Sequence, residues 1–166
     1  VKPNDLYLGA DSHTPTYGAI NAFGIGVGST DLAATMLTGK TWLKVPKTIK
    51  IILNGELGKN VTAKDLILFL VKELGSEGAN YQAIEFTGET IKDMTLASRM
   101  VLANMSSEMG AKTGLVDATG LELWYPFEAI TPDKNAEYVH EFNFDVSTLR
   151  PQIAKPHSPE NVVAID

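Results

Sequence analysis

Three adjacent polar residues near the start of the chain, Asp11, Ser12 and His13, offer the most informative chemistry in the sequence. They follow a short apolar run that ends at Gly9, so they are predicted to lie on a loop after a strand. Loops in that position often carry ligand-binding groups in α/β proteins. Histidine is the side chain best suited to move protons near neutral pH, and a neighbouring aspartate can orient its ring. The segment is therefore a candidate catalytic loop.

A plainer interpretation of the same loop stays open. Asp11 and Thr14 are also residues that cap turns, and His13 would then be an ordinary surface residue. The spacing alone does not separate the two interpretations. A hydrolase triad built on Ser12 is not expected, because adjacent serine and histidine side chains rarely aim at each other and no nucleophile-elbow glycines flank the serine.

A second candidate is the pair Asn104 and Glu108, four residues apart in a predicted helix and hence on one face. The apolar surface of that helix comes largely from Met100, Val101, Met105 and Met109. Such a polar pair either forms a solvated edge or points into a polar pocket. The residue pattern by itself favours the solvated edge.

Two motifs that resemble phosphate-binding loops lack essential residues. Gly39-Lys40-Thr41 ends like a P-loop, but Ala34 stands where that loop needs its first glycine. The run from Gly24 to Gly28 lacks the third glycine of a dinucleotide fingerprint, and Asp31 would repel a pyrophosphate. These glycines are expected to serve tight turns or close backbone contacts instead.

The elements that must position the candidate residues alternate between strands and helices. The predicted strands are 6–8, 49–53, 81–86 and 114–116. The predicted helices are 29–39, 62–75, 95–110 and 133–141. The helix at 62–75 is apolar around much of its circumference and should be largely buried. The alternation predicts an α/β fold with a mixed or mostly parallel sheet flanked by helices.

Changes in composition divide the chain into three segments. Residues 1–45 are rich in glycine, 46–120 carry the predicted α/β domain, and 121–166 are rich in proline and are expected to form an extended tail. The net charge of −6 argues against a nucleic-acid partner, which would need a surplus of Lys and Arg on one face. No apolar run approaches the roughly 20 residues that span a bilayer, and no signal peptide is recognisable, so a cytoplasmic protein is expected.

The absence of cysteine excludes disulfides, thiol catalysis and thiolate-bound metals within these 166 residues. No metal site is therefore expected within the chain. The other two histidines, His140 and His157, lie in a charged segment and a proline-rich tail, and nothing in their surroundings suggests a site.

Five motifs in order together resemble the aconitase superfamily over essentially the whole chain. They are Gly9-Ala10-Asp11-Ser12-His13-Thr14, Phe23-Gly24-Ile25-Gly26-Val27-Gly28, Lys64-Asp65-Leu66-Ile67-Leu68, Glu85-Phe86-Thr87-Gly88 and Asn104-Met105-Ser106-Ser107-Glu108-Met109-Gly110-Ala111. The stretch 38–46 is more similar to the branch of 3-isopropylmalate dehydratase and homoaconitase large subunits than to aconitase itself.

The resemblance implies a hydro-lyase that isomerises a hydroxy acid by removing water and adding it back at the neighbouring carbon. It implies a [4Fe–4S] cluster held by three cysteines, expected downstream of this chain, and a small subunit or swivelling domain as partner. It also implies that Asp11, Ser12 and His13 lie on the cluster side of a cleft, with Thr14 beside them. Asn104 and Glu108 match the family's residues beside the cluster, which favours a pocket over a solvated edge. The resemblance thus implies that Glu108 is catalytic together with Asp11, Ser12 and His13, and that Asn104 and Thr14 lie near the cluster or bind substrate.

Further expectations follow from the resemblance. The chain is expected to be an internal fragment that neither binds a cluster nor turns over substrate alone. The alternatives are a homoaconitase or a methylmalate-type dehydratase and, from another class, a non-catalytic binding or assembly module.

Overall fold

The structure, a computed structural model, describes residues 1–165. Its strands in chain order are β1 (Leu6–Gly9), β2 (Phe23–Gly26), β3 (Thr48–Asn54), β4 (Ala83–Thr87), β5 (Thr113–Val116), β6 (His140–Asp145), β7 (Gln152–Ala154) and β8 (Val162–Ala164). Its α-helices are α1 (Ser29–Thr38), α2 (Ala63–Leu74), α3 (Glu89–Lys92) and α4 (Leu96–Met105). Two 3₁₀ helices, η1 (Thr14–Ile20) and η2 (Ser106–Met109), complete the assignment.

The core is built on a four-stranded sheet in which every pair is parallel, in the order β5-β4-β3-β6. Side chains alternate across a strand, and β3 buries every second residue. The buried set packs together with α2 and α4 in one cluster and includes Ile49, Ile51, Leu53, Ile84 and Phe86. The predicted α/β fold with a mostly parallel sheet flanked by helices is thus confirmed.

Helix α2 forms where the residue pattern predicts it, because both its start and its buried face are encoded locally. Thr62 caps it, and the Asp65 carboxylate accepts the Thr62 backbone N–H at 2.8 Å, completing a capping box. The helix buries six of its residues: Ala63, Leu66, Ile67, Leu68, Leu70 and Val71. It ends before Gly75, whose φ of +83° suits a residue without a Cβ.

The prediction of a helix over 133–141 is wrong. Residues 133–139 are irregular, and β6 begins at His140 and pairs in parallel with the free edge of β3. Phe142 and Phe144 follow the period of two that suits a strand, and their rings stack at 6.1 Å. The pairing with β3 joins residues 91 positions apart, so a local residue pattern could not indicate it. The fourth sheet strand therefore comes from the 121–166 segment.

The last part of the chain also forms an antiparallel pair, β7 with β8. It is attached to α2, since the Gln152 backbone N–H donates to the second oxygen of Asp65 at 2.7 Å.

Every helix within residues 1–165 falls short of the length and apolar character that a membrane span requires.

The N-terminal segment packs on the sheet unit through η1. Strands β1 and β2 pair in parallel on either side of η1 in the sequence, and η1 lies against α4 and β5. Gly18 makes this possible, because a Cβ there would lie 1.8 Å from the carbonyl oxygen of Gly114. Helix α1, in contrast, has no buried residue.

The contrast between α2 and α1 gives a prediction about stability. Leu66 is fully buried, whereas Leu37 is 88% exposed. Leu66→Ala is expected to lower the free energy of unfolding by about 2–5 kcal/mol, because it leaves a cavity in the core. Leu37→Ala, the matched control, should change it by less than about 0.5 kcal/mol. Urea denaturation of both variants measures this, and equal losses would contradict the described packing.

The carboxylate of Glu85, on β4, lies near Tyr138 in the irregular segment before β6. The Tyr138 hydroxyl donates to Glu85 at 3.2 Å. Burial, reinforced by the charge of Asp117, raises the pKa of Glu85, and the Tyr138 hydrogen bond and Lys50 only partly oppose this. Burial and the charge of Glu85 raise the pKa of Tyr138 to about 12, so the phenol stays protonated and donates.

Glu85→Gln should therefore stabilise the protein in a pH-dependent way. A carboxyl with a raised folded pKa contributes most to stability below its unfolded pKa, and that contribution falls as the pH rises through the folded pKa. The melting temperature of the variant should gain on the parent from pH 4.5 upwards until the raised pKa is passed. Glu122→Gln, at an exposed position, is the control. A constant difference between Glu85→Gln and the parent at every pH would show that Glu85 is not desolvated.

Candidate active site

The loop at residues 11–14 is held by a compact set of hydrogen bonds centred on Asp11. Its Oδ1 accepts the backbone N–H of His13 at 2.6 Å and lies 3.1 Å from the His13 ring Nδ1. Its carbonyl oxygen accepts the backbone N–H of Thr14 at 3.1 Å and the Thr14 hydroxyl at 2.6 Å. Thr14 is buried and begins η1, so the loop is anchored to the fold at this residue.

The contacts of Asp11 bear on how the His13 ring is oriented. The hydrogen bonds from the His13 backbone and ring lower the pKa of Asp11, so its carboxylate is ionised at neutral pH and can only accept. The contact with Asp11 is a hydrogen bond when Nδ1 carries a proton, and Nε2 is then the ring nitrogen left for a ligand. The His13 side chain is 71% exposed, so Nε2 is accessible to a ligand. The Ser12 hydroxyl is 3.3 Å from Nδ1.

Both interpretations of this loop describe real contacts. Asp11 and Thr14 cap the turn, as the plainer interpretation expects, and Asp11 also orients the imidazole, as general acid–base catalysis requires. The two are compatible because Asp11 contacts the ring through its carboxylate Oδ1 and holds Thr14 through its main-chain carbonyl oxygen. The catalytic role of Asp11, Ser12 and His13 stays a prediction.

Asn104 is joined to this loop through η1. The Thr16 hydroxyl donates to the Asn104 amide oxygen at 3.2 Å, and the Thr16 backbone N–H donates to the His13 carbonyl oxygen at 3.0 Å. Asn104 and His13, 91 positions apart in the sequence, are thereby connected through one intervening residue, Thr16. Asn104 is only half-buried, so its amide nitrogen can still bind a ligand.

Glu108 is placed differently from the expectation of a continuous helix. The α-helix ends at Met105 and continues as η2, a tighter 3₁₀ turn, so the four-residue spacing no longer guarantees a shared face with Asn104. The Glu108 side chain is exposed and makes no hydrogen bond or ion pair with residues 1–165. Its role beside the loop stays a prediction.

The residue pattern missed Thr16 and Gly18, which bring the loop and α4 together. Thr16 follows Pro15 in an unremarkable turn sequence, and its partner Asn104 is remote in the sequence. The only available signal was the glycine-rich character of the stretch that contains Gly18, which indicates close backbone contacts without identifying their partner.

The described residues do not supply the ligands of an iron–sulfur cluster. The sequence contains no cysteine, and no group of three His, Asp or Glu side chains among residues 1–165 is arranged to hold a metal ion. Cluster ligands are characteristically cysteine thiolates. Asp11 and His13 are paired with each other, and such a pair suits proton transfer.

The fold and these motifs agree with a single protein class. The model of the aconitase family (aconitate hydratase) matches residues 1–125, well over half of the chain. This chain belongs to the aconitase family.

Within that family, the chain is similar to curated relatives named 3-isopropylmalate dehydratase large subunits. The chain is 47% identical over 172 aligned positions to 3-isopropylmalate dehydratase large subunit 1 of Methanopyrus kandleri, covering 99% of this chain and 41% of the relative. It is 46% identical to the large subunit from Syntrophus aciditrophicus and 45% identical to large subunit 1 from Pyrococcus furiosus, each with the same coverage. The chain thus spans about two-fifths of the length of these relatives.

Proposed function

We propose that this chain forms part of the large subunit of a hydro-lyase that isomerises 3-isopropylmalate by dehydration and rehydration. The observation that carries the proposal is the similarity to 3-isopropylmalate dehydratase large subunits along 99% of the chain. The hydrogen-bonded Asp11–His13 pair supports it, because removal of water needs a positioned proton donor.

His13 is proposed to protonate the leaving hydroxyl. In its doubly protonated form it donates the Nε2 proton to the hydroxyl oxygen as the carbon–oxygen bond breaks, and water leaves with the electron pair of that bond. A base of the complete enzyme removes the proton from the neighbouring carbon, and the electron pair of that carbon–hydrogen bond forms the carbon–carbon double bond. The ring becomes neutral and keeps the Nδ1 proton that it shares with Asp11. In rehydration the same nitrogen takes a proton from the incoming water. The Asp11 carboxylate stabilises the imidazolium form, and Asn104 can donate its amide N–H to a substrate oxygen.

The roles proposed for this chain are limited to proton transfer and binding. A [4Fe–4S] cluster in the complete enzyme would need ligands from outside these 166 residues, because the sequence has no cysteine and residues 1–165 contain no group of side chains arranged to hold a metal ion. A small-subunit partner is proposed on the basis that the relatives are named large subunits.

The test is an assay of the complete large subunit that contains this chain, prepared anaerobically with its small subunit. The proposal expects turnover of 3-isopropylmalate in preference to homoaconitate and citraconate. Preferential turnover of homoaconitate would show that homoaconitate, and not 3-isopropylmalate, is the substrate. If a preparation with full cluster absorbance turned over none of the three compounds, the hydro-lyase assignment would be contradicted.

Residues 1–166 alone are proposed to be inactive. The absence of cysteine supports this, since a bound cluster needs thiolate ligands. Anaerobic incubation with iron and sulfide, followed by visible absorbance, tests it directly. Stoichiometric cluster formation would contradict the proposal.

A further inference from the structure

A groove beside Asn104 contains side chains, Lys64 among them, that have no role in the function proposed above. It lies where η1, α2 and α4 meet and has a volume of about 360 Å³. Its lining consists of Thr16, Lys64, Met100, Val101, Asn104 and Met105. The groove begins one turn after His13, since the Thr16 backbone N–H donates to the His13 carbonyl oxygen.

The cation of this groove is Lys64. It is the second residue of α2, and its ammonium nitrogen lies 3.1 Å from the Met105 sulfur on α4. This contact brings the ammonium group from α2 onto α4 next to the site residue Asn104. A thioether is a weak acceptor, so it positions the ammonium group without neutralising its charge.

The free ammonium and amide groups of the groove are donors. Thr16 uses its hydroxyl proton on the Asn104 amide oxygen, which leaves the Asn104 amide N–H groups available. The Lys64 ammonium has donors and no acceptor. No carboxylate lines the groove, and its remaining surface is two methionines and a valine. A ligand that matches this lining carries an anionic acceptor group and a short aliphatic chain.

We infer that the groove binds one carboxylate of the hydroxy-acid substrate, with Lys64 as a substrate-binding residue. The inference rests on the proposed function and names a residue that the motif comparison did not assign. The ammonium group and the Asn104 amide donate to the carboxylate oxygens, and charge-assisted hydrogen bonds of this kind are stronger than neutral ones. Met100, Val101 and Met105 contact the aliphatic part of the ligand.

Titration of the chain with 3-isopropylmalate, followed by ¹H–¹⁵N NMR, tests the inference. Saturable shifts of the Asn104 side-chain amide are expected. Lys64→Gln should weaken binding by about tenfold or more, and Lys64→Arg should retain most of it. Lys72→Gln, an exposed lysine on the same helix, should bind like the parent. The NMR spectrum itself verifies that each variant is folded. No saturable shift, or equal weakening by both Lys→Gln variants, would overturn the inference.

The complete enzyme separates this inference from the proposed function. Lys64→Gln is expected to raise the KM for 3-isopropylmalate by about tenfold while kcat changes little, as for a group that binds ground state and transition state alike. If Lys64→Gln turns over 3-isopropylmalate with an unchanged KM, the groove does not bind the substrate, and the proposed function still holds. If the chain binds 3-isopropylmalate through Lys64 but the complete enzyme does not turn it over, the proposed function is wrong, and the binding role of the groove still holds.

Discussion

Replacement of His13 by alanine in the complete enzyme is expected to lower kcat by about 10²–10⁴-fold, because general acid–base catalysis by one positioned side chain contributes that much. The structure supplies the physical reason for choosing this residue. Asp11 holds the ring Nδ1 at 3.1 Å, and the ring is exposed on its other side. Steady-state turnover of 3-isopropylmalate at matched cluster absorbance measures the effect.

Two further variants control the His13 prediction. Asp11→Asn keeps an oxygen that can accept from Nδ1–H but removes the charge that stabilises imidazolium, so a smaller loss in the same direction is expected. His157→Ala, in the exposed tail, should leave kcat unchanged. A kcat for His13→Ala within a factor of about two of the parent would show that the proton comes from elsewhere.

The second large effect is expected from Gly18→Ala. A Cβ at this position would lie 1.8 Å from the Gly114 carbonyl oxygen, which belongs to the backbone of β5 and cannot rotate away. Helix η1 must then lift from β5, at a cost of about 3 kcal/mol in the free energy of unfolding. The Thr16–Asn104 hydrogen bond should be lost with it. Chemical denaturation and the Asn104 amide signal measure the two consequences.

Gly26→Ala is the matched control for Gly18→Ala. A Cβ at Gly26 would lie 3.4 Å from the Asp11 carbonyl oxygen, which is an ordinary contact distance. Its free energy of unfolding should therefore remain within about 0.5 kcal/mol of the parent. If the two variants were equally stable, the close approach of η1 to β5 would be incorrect.

The parts of the fold that sequence predicts well are those whose causes are local. Helix α2 has its capping box, its apolar face and its terminal glycine within 14 residues, and β3 alternates buried and half-buried residues before Asn54-Gly55. Strand β6 could not be predicted in the same way. The residues before it are polar enough for a surface helix, and the β3 edge that pairs with His140–Asp145 is remote in the sequence.

The candidate site likewise combines a local contact, which the sequence indicates, with a long-range contact, which it does not. The Asp11–His13 contact joins neighbouring residues, so the loop could be recognised from the sequence alone. The contact of Thr16 with Asn104 spans 88 positions, and only the family resemblance suggested that these regions meet. The change from α4 to η2 falls at Ser106, which is buried and whose hydroxyl donates to the Ala103 carbonyl oxygen, and this change alters the expected placement of Glu108.

The central claim is that the loop at residues 11–13 and Asn104 act on the same substrate molecule. A double-mutant cycle on kcat/KM for 3-isopropylmalate, with His13→Ala, Asn104→Ala and the double variant in the complete enzyme, tests it most directly. If the residues form one site, the double variant should lose at least about tenfold less than the product of the two single losses. Losses that simply multiply would show that His13 and Asn104 act independently.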